Sequence, residues 1–420
     1  MSIYLDNSAT TRPAPSVVRA VEEALTVQYG NPSSAHRLGV AARRLLDESR
    51  TRVALLLGVS PEEIVFTSGA TEANNLAILG VARAARALPL SSYDDRERKE
   101  REGKAAGAES RPHLITTAVE HPSVLEPFRR LEDEGWEVTY VAVDRQGQLD
   151  LAALSRALKP ETVLLSTMWV NNETGVVHPL QGIREVLIQF EKTQGRRPLW
   201  HVDAVQALGK LPVSPRELGI DLLSLSGHKM HGPKGVGALY VRRTVRLQPL
   251  VWGGGQERGL RSGTENLPGI AGLGVACQEA RERLAADPEA SYLRRLRSLL
   301  WDGIRESIPG ARLHGPGPDT GAVAPHILNV GFPGTRGEVL VRYLSERGVH
   351  VATGSACHSR RPEPSHVLGA MGLRPDEIQA SLRFSLSWEN TEAEIREAVA
   401  ILREVVAEVR SLTGWKGRDD

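Results

Sequence analysis

Ser226-Gly227-His228-Lys229-Met230-His231-Gly232-Pro233-Lys234-Gly235 sets a lysine in a turn bordered by glycine, histidine and proline, directly after the apolar run Asp221-Leu222-Leu223-Ser224-Leu225. A lysine at the dry edge of a pocket loses hydration, its pKa falls, and the neutral amine can condense with an aldehyde as a Schiff base. A plain surface turn would use the same residues. Asp203 argues for chemistry: it ends the buried-type run Pro198-Leu199-Trp200-His201-Val202-Asp203, so a carboxylate and an amine stand at the ends of two strands. That pair suits pyridoxal 5'-phosphate, whose ring nitrogen must stay protonated to act as an electron sink.

Four further stretches carry residue types with chemistry. Thr67-Ser68-Gly69-Ala70-Thr71-Glu72-Ala73-Asn74-Asn75 follows the run Ile64-Val65-Phe66 and opens an apolar helix. Backbone N–H groups and the Thr71 hydroxyl there make an anion site or an ordinary N-cap. His121, in Glu120-His121-Pro122-Ser123, would stack on the ring and move protons, or merely cap a helix. Asn172, in Asn171-Asn172-Glu173-Thr174-Gly175, would bring an amide to the cofactor's phenolic side unless this is only a turn. The stretch Gly253 to Asn266 carries Arg258 and Arg261 among glycines and hydroxyls, as a phosphate- or substrate-facing loop does and a flexible linker does not.

Cys357 sits in Gly354-Ser355-Ala356-Cys357-His358-Ser359-Arg360-Arg361, where neighbouring positive charge favours thiolate and a nucleophilic role. Cys277, on an Ala/Gly helix, reads as packing. Arg383 stands inside the apolar strand Leu382-Arg383-Phe384-Ser385 and needs a partner, either a substrate carboxylate or a structural ion pair. A metal reading of His201, Asp203, His228 and His231 is disfavoured by the adjacent lysine.

These residues need elements to hold them. Apolar runs at Ile64 to Thr67, His113 to Thr117, Glu137 to Val143, Thr162 to Met168, Leu199 to Asp203, Leu222 to Leu225 and Gly237 to Val241 predict strands. Helical segments alternate with them, at Ala70 to about Leu88, Asp150 to Leu158 and Ile183 to Lys192. This alternation predicts an α/β fold with a mostly parallel seven-stranded sheet, whose ligands lie at the carboxyl ends of its strands. Beyond Asn266, helices at Ile270 to Leu284, Tyr292 to Ser307 and Thr391 to Leu412 and strands at Ile327 to Phe332, Val349 to Ala352 and Ser381 to Ser385 predict a smaller α+β domain. The expected division is a large domain at 15–265 and a discontinuous small one at 1–14 and 266–420, with the cysteine loop at 354–366. Residues 89–112 carry an unbroken run of mixed charge, read as a solvated insertion.

The 420 residues are 41% hydrophobic and 25% charged, and 52 Lys+Arg against 51 Asp+Glu leave a formal charge of +1. This balance excludes a global electrostatic case for nucleic acid or an anionic membrane. Two cysteines support neither a disulfide framework nor a thiolate cage, and no signal-like or spanning run is evident, so a cytoplasmic setting is expected.

Taken together, the motifs resemble the cysteine desulfurases of the aminotransferase class V family, fold-type I pyridoxal phosphate enzymes, from Tyr4-Leu5-Asp6-Asn7-Ser8-Ala9-Thr10-Thr11 through Gly30-Asn31-Pro32 to Arg383-Phe384-Ser385-Leu386. The resemblance implies Lys229 as the Schiff-base lysine, Asp203 as partner of the ring nitrogen, Gln206 of the phenolic oxygen, and His121 as the stacking residue. It implies phosphate contacts from Ala70, Thr71, Ser226 and His228, and from Thr264 toward the other subunit of a homodimer. Asn172 and Arg383 would grip the carboxylate of L-cysteine. Cys357 would take its sulfur as a persulfide for an acceptor protein, such as an iron-sulfur scaffold. Two departures stand out: His358 follows Cys357 where threonine is common, which is similar to selenocysteine lyases acting on L-selenocysteine, and Ser387-Trp388-Glu389-Asn390 replaces the usual Gly-Arg continuation. A catalytically quiet scaffold on the same fold is the remaining alternative.

Overall fold

A computed structural model describes residues 2–87, 111–317, 320–354 and 364–415. The expected charged insertion (apart from its last two residues) and Cys357 with most of its loop lie outside the described residues. The central sheet has seven strands in the spatial order Ile64–Thr67, Gly237–Val241, Leu222–Ser226, Leu199–Asp203, Thr162–Met168, His113–Thr117 and Glu137–Val141. Gly237–Val241 pairs antiparallel on both sides, and every other pairing in the sheet is parallel. Thr162–Met168 and Leu222–Ser226 are buried along their whole length, which explains why they read as continuous apolar or small-polar runs. The edge strand Glu137–Val141 is the partly exposed one.

Both faces of the sheet are covered. On one, Ala70–Ala87 and Pro122–Asp133 bring Ala73, Leu76, Ala77, Val124 and Phe128 into a core with Val65, Leu114 and Leu239. On the other lie Arg37–Leu57 and Leu267–Ala286, with Leu46, Val53, Ile270 and Leu273 packed against Phe66, Leu223 and Leu225. The expected boundary at 265 places Leu267–Ala286 with the small domain, whereas its side chains join this first core. Small residues make the approach possible: a Cβ on Gly274 would stand 2.9 Å from Ser49 Cα, and one on Gly272 would stand 2.8 Å from Val21. Cys277 is fully buried there, and burial pushes its thiol up to about 12.

A second core joins Ser291–Ser307, Gly337–Glu346 and Glu392–Thr413 to the antiparallel sheet of Ser381–Ser385, Ile327–Gly331 and Arg312–Leu313. The N-terminal residues Ile3–Tyr4 pair in parallel with Val349–His350, so the chain's start belongs to this unit. Helices Pro15–Thr26 and Arg37–Leu57 have no counterpart among the expected elements. Proline at the first helical position starts the former, and His36 caps the latter by accepting from Gly39 N.

Candidate active site

The strands Ile64–Thr67, His113–Thr117, Thr162–Met168, Leu199–Asp203 and Leu222–Ser226 run the same way, so the residues that follow them meet at one end of the sheet. Lys229 ends the single turn Gly227–Lys229. Its Nζ donates to Ser8 O at 2.6 Å and to Ala9 O at 2.8 Å. The turn is tied back on itself, since Met230 N and Gly232 N both donate to Gly227 O at 3.0 Å. A Cβ on Gly232 would stand 2.8 Å from that same oxygen, so glycine is required there.

Asp203 is buried at its strand end and receives Asn74 Nδ2 on Oδ2 at 2.8 Å and Val205 N on Oδ1 at 3.0 Å. Asn74 comes from the helix Ala70–Ala87, and its Nδ2 also reaches Ser123 Oγ at 2.9 Å. Ser123 Oγ in turn lies 2.8 Å from His121 Nδ1, which also accepts Ser123 N at 3.1 Å. With Nδ1 accepting, a neutral His121 carries its proton on Nε2. His121 is thus a helix cap and the end of a chain of contacts that runs through Ser123 and Asn74 to Asp203.

The residues expected to form an anion cradle fall at the start of Ala70–Ala87. Gly69 (φ +154°) turns the chain so close to Gly237 that a Cβ on Gly237 would stand 2.8 Å from Gly69 Cα. A Cβ on Gly69 would lie 3.9 Å from Ser226 Oγ, which brings Ser226 to the same turn. Ala70 is half-buried and Thr71 exposed. Glu72 spans the first turn by accepting Ser68 N at 2.8 Å and Arg261 Nε at 2.9 Å. Burial pushes its carboxyl up, but the Arg261 and Ser68 contacts outweigh this and hold it below the usual range. His228 faces Thr10 Oγ1 at 3.2 Å, and burial, then the charges of Lys229, Lys234 and Lys210, lower it to about 4. Thr264 is exposed. Its loop is no flexible linker: Glu257 (φ +47°) takes Arg50 on both oxygens at 2.5 and 2.8 Å and Phe66 N at 2.9 Å.

Arg383 donates to Asn172 O at 3.0 Å and to Asp6 Oδ1 at 2.9 Å. Among the described residues its buried Nε has no partner, so a hydrogen remains to be given. Asn172 therefore meets the arginine through its backbone carbonyl. Gln206 Nε2 donates to Ser8 O at 2.9 Å, the same oxygen that takes Lys229. The N-terminal stretch is fixed between these groups by Asn7 Nδ2 on Ser385 O at 2.9 Å and Ser8 N on Ser385 Oγ at 2.8 Å. The divergent segment after Arg383 supports it through Asn390 Nδ2 on Tyr4 O at 3.1 Å, while Trp388 Nε1 donates to Gly209 O at 3.3 Å.

Residue spacing alone did not single out Asn74, Ser123, Glu120, Lys210, Asp6 or Ser8 as parts of the site. Polar Asn74 inside an Ala-rich helix is the one signal that marks a buried amide. Glu120 is fully buried, with Oε1 accepting Thr117 Oγ1 and Met168 N at 2.7 Å each. Burial, reinforced by the charge of Asp203, raises it to about 8. Lys210 is buried too and donates to the backbone carbonyl of Lys229. Burial, then the charges of Lys229 and Arg283, lower it to about 7. His201 has both ring nitrogens engaged, by Ser166 Oγ at 2.8 Å and Ser224 Oγ at 2.9 Å, and His231 Nδ1 meets Arg12 O at 2.9 Å. Among the described residues no three His, Cys, Asp or Glu side chains converge as a metal site.

This donor set fits pyridoxal phosphate. A helix N-terminus with hydroxyls could take its phosphate, a carboxylate held by two donors its ring nitrogen, and a strand-end amine its aldehyde. Residues 3–89 and 103–397 match the family described as Aminotransferase class-V. A cysteine desulfurase of Nostoc sp. is 42% identical over 414 residues, 99% of this chain and 95% of the relative. Cysteine desulfurase IscS of Escherichia coli is 43% identical over 418 residues, 98% and 95% respectively. A solved NifS-like protein superposes with a TM-score of 0.83 at 37% identity, covering 97% of this chain and 100% of its own.

Proposed function

The chain belongs to the class V aminotransferase family, and on that premise we propose that it is a pyridoxal phosphate-dependent cysteine desulfurase that converts L-cysteine to L-alanine and passes the sulfur on through Cys357. The observation that carries this reading is the placement of the Lys229 amine on the carbonyls of Ser8 and Ala9, within a segment whose Asp6 holds Arg383. Amine and guanidinium are thereby referred to one short stretch of backbone.

When bound, pyridoxal phosphate supplies the electron sink that makes the α-proton of an amino acid acidic. Ala70, Thr71, Ser226 and His228 are the residues assigned to its phosphate, with Thr264 assigned to the partner subunit's site in a homodimer. Asp203, held by Asn74 and Val205 N, would pair with the ring nitrogen, Gln206 would pair with the phenolic oxygen, and His121 would stack on the ring. Arg383 and Asn172 orient the substrate carboxylate. Lys229 takes the α-proton from its post at the strand end. The thiolate of Cys357 then attacks the substrate sulfur: an S–S bond forms, the C–S bond breaks, its electron pair stays with carbon, and a proton completes the methyl group of alanine. The persulfide goes on to an acceptor protein, with iron-sulfur assembly its proposed destination. No described helix is long and apolar enough to cross a membrane. A cytoplasmic location is part of the proposal.

The test is turnover of L-cysteine and L-selenocysteine by wild type and Cys357→Ala. Loss of sulfide release with retained exchange of the α-proton supports the reading. Wild-type sulfide release from Cys357→Ala would overturn it. Retained selenocysteine turnover beside lost cysteine turnover is also expected, because a selenol departs without a nucleophile.

A further inference from the structure

Gly354 and Ser365 meet at one carboxylate. Ser365 Oγ donates to Glu173 Oε2 at 2.5 Å, and a Cβ built on Gly354 (φ +91°) would stand 3.1 Å from that same oxygen. Glu173 is 4% exposed, so the contact is made in a dry setting where a hydrogen bond is stronger than in water. Ser365 is itself fixed by accepting Leu368 N at 3.1 Å, and next to it His366 Nε2 lies 2.9 Å from Glu120 O. Behind Glu173, its carbonyl takes Asn329 Nδ2 at 3.2 Å, and Asn329 Oδ1 lies 2.9 Å from His314 Nδ1. Glu173 N donates to Asn171 Oδ1 at 3.0 Å, which sets the turn.

Adjacent residues of that turn do two jobs. The carbonyl of Asn172 receives Arg383, while the carboxylate of Glu173 receives the Ser365 hydroxyl and packs beside Gly354, the two residues that flank the Cys357 segment in the chain. We propose that Glu173 is a positioning residue for sulfur transfer, fixing Gly354 and Ser365 relative to Arg383 and hence to the bound substrate. The inference rests on the reading that Cys357 accepts the sulfur. Nucleophilic displacement at sulfur needs close approach along one line, and geometry of that kind is lost when its supports shift.

The experiment uses the holoenzyme with Glu173→Ala, Glu173→Gln, Ser365→Ala and Cys357→Ala. Two rates are measured: exchange of the α-proton of L-alanine with deuterated solvent, which needs no sulfur transfer, and sulfide release from L-cysteine. Glu173→Ala is expected to keep exchange within about twofold while sulfide release falls about tenfold or more, since a misplacement of about 1 Å can cost about a hundredfold. Glu173→Gln, whose amide oxygen still accepts the Ser365 hydroxyl, should recover most of the loss. Ser365→Ala should resemble Glu173→Ala, with the double variant no worse than either alone. In cofactor-free protein, the alkylation rate of Cys357 by iodoacetamide should change in Glu173→Ala and not in Glu173→Gln. Ser365→Ala, which leaves the buried acid in place, decides the matter if Glu173→Ala does not fold. Unchanged sulfide release, or exchange falling in step with it, overturns the inference. An inert Cys357→Ala beside an unaffected Glu173→Ala sinks this inference alone, whereas a fully active Cys357→Ala removes the functional reading on which it stands.

Discussion

The amide of Asn74 and the carboxylate of Asp203 meet at 2.8 Å across the end of the sheet, one from a helix and the other from the strand Leu199–Asp203. Asn74 thus supplies the link between the helix that begins the anion cradle and the acid assigned to the cofactor's ring. Removing it as Asn74→Ala leaves a buried carboxylate short of a donor, at a cost of about 1–3 kcal/mol. Pyridoxal phosphate affinity should fall about tenfold in Asn74→Ala, by titration of the apoprotein, because about 1.4 kcal/mol corresponds to a factor of ten. Asp203→Ala should bind the cofactor more weakly still and exchange the α-proton slowly. Wild-type affinity in both variants would remove Asp203 from the assigned role.

Lys229→Ala should lose all turnover and all borohydride-reducible attachment of the cofactor. Lys210 is the instructive control, a second buried lysine whose Nζ donates to the Lys229 backbone carbonyl. Mass mapping after reduction should find the label on Lys229 in the wild type and nowhere in Lys229→Ala. Label on Lys210 would reverse the assignment.

Glu120 predicts a pH dependence of stability with a definite sign. Its carboxyl keeps its proton in the native state up to about 8, against an ordinary value of 4.5. Between those values the native state binds the extra proton, so stability falls as pH rises through the window. Glu120→Gln carries no such proton and should be more stable than wild type at alkaline pH, with the gain shrinking toward pH values near the ordinary glutamate range. Urea midpoints across that range check it, and a gain that grew toward acid pH would reverse the sign.

The strands and the residues after them were legible because each apolar run ends where hydrogen-bonding residue types begin, as at Asp203 and Ser226. Lys229, Asp203, Gln206 and Arg383 could be named from such endings and from family resemblance. Asn74, Ser123 and Glu120 could not, since their role comes from three strands and two helices brought side by side by the parallel topology. Asp6 and Ser8 were hidden differently: Ser8 contributes a carbonyl, which every residue has and no side-chain pattern reports. Helix Leu267–Ala286 packs into the first core, and its sequence does not say so because glycine and alanine signal close approach without saying to what.

The ion pair of Asp6 with Arg383 joins positions near the two ends of the chain. During synthesis the strand-end lysine and acid can take up their places long before the arginine has left the ribosome. A nascent chain therefore carries its amine-bearing turn without the arginine proposed to take a substrate carboxylate. Contacts of such sequence separation form late, because the loop they close is nearly the whole polypeptide. Competence for turnover then waits on the docking of the Asp6 segment against the strand Ser381–Ser385.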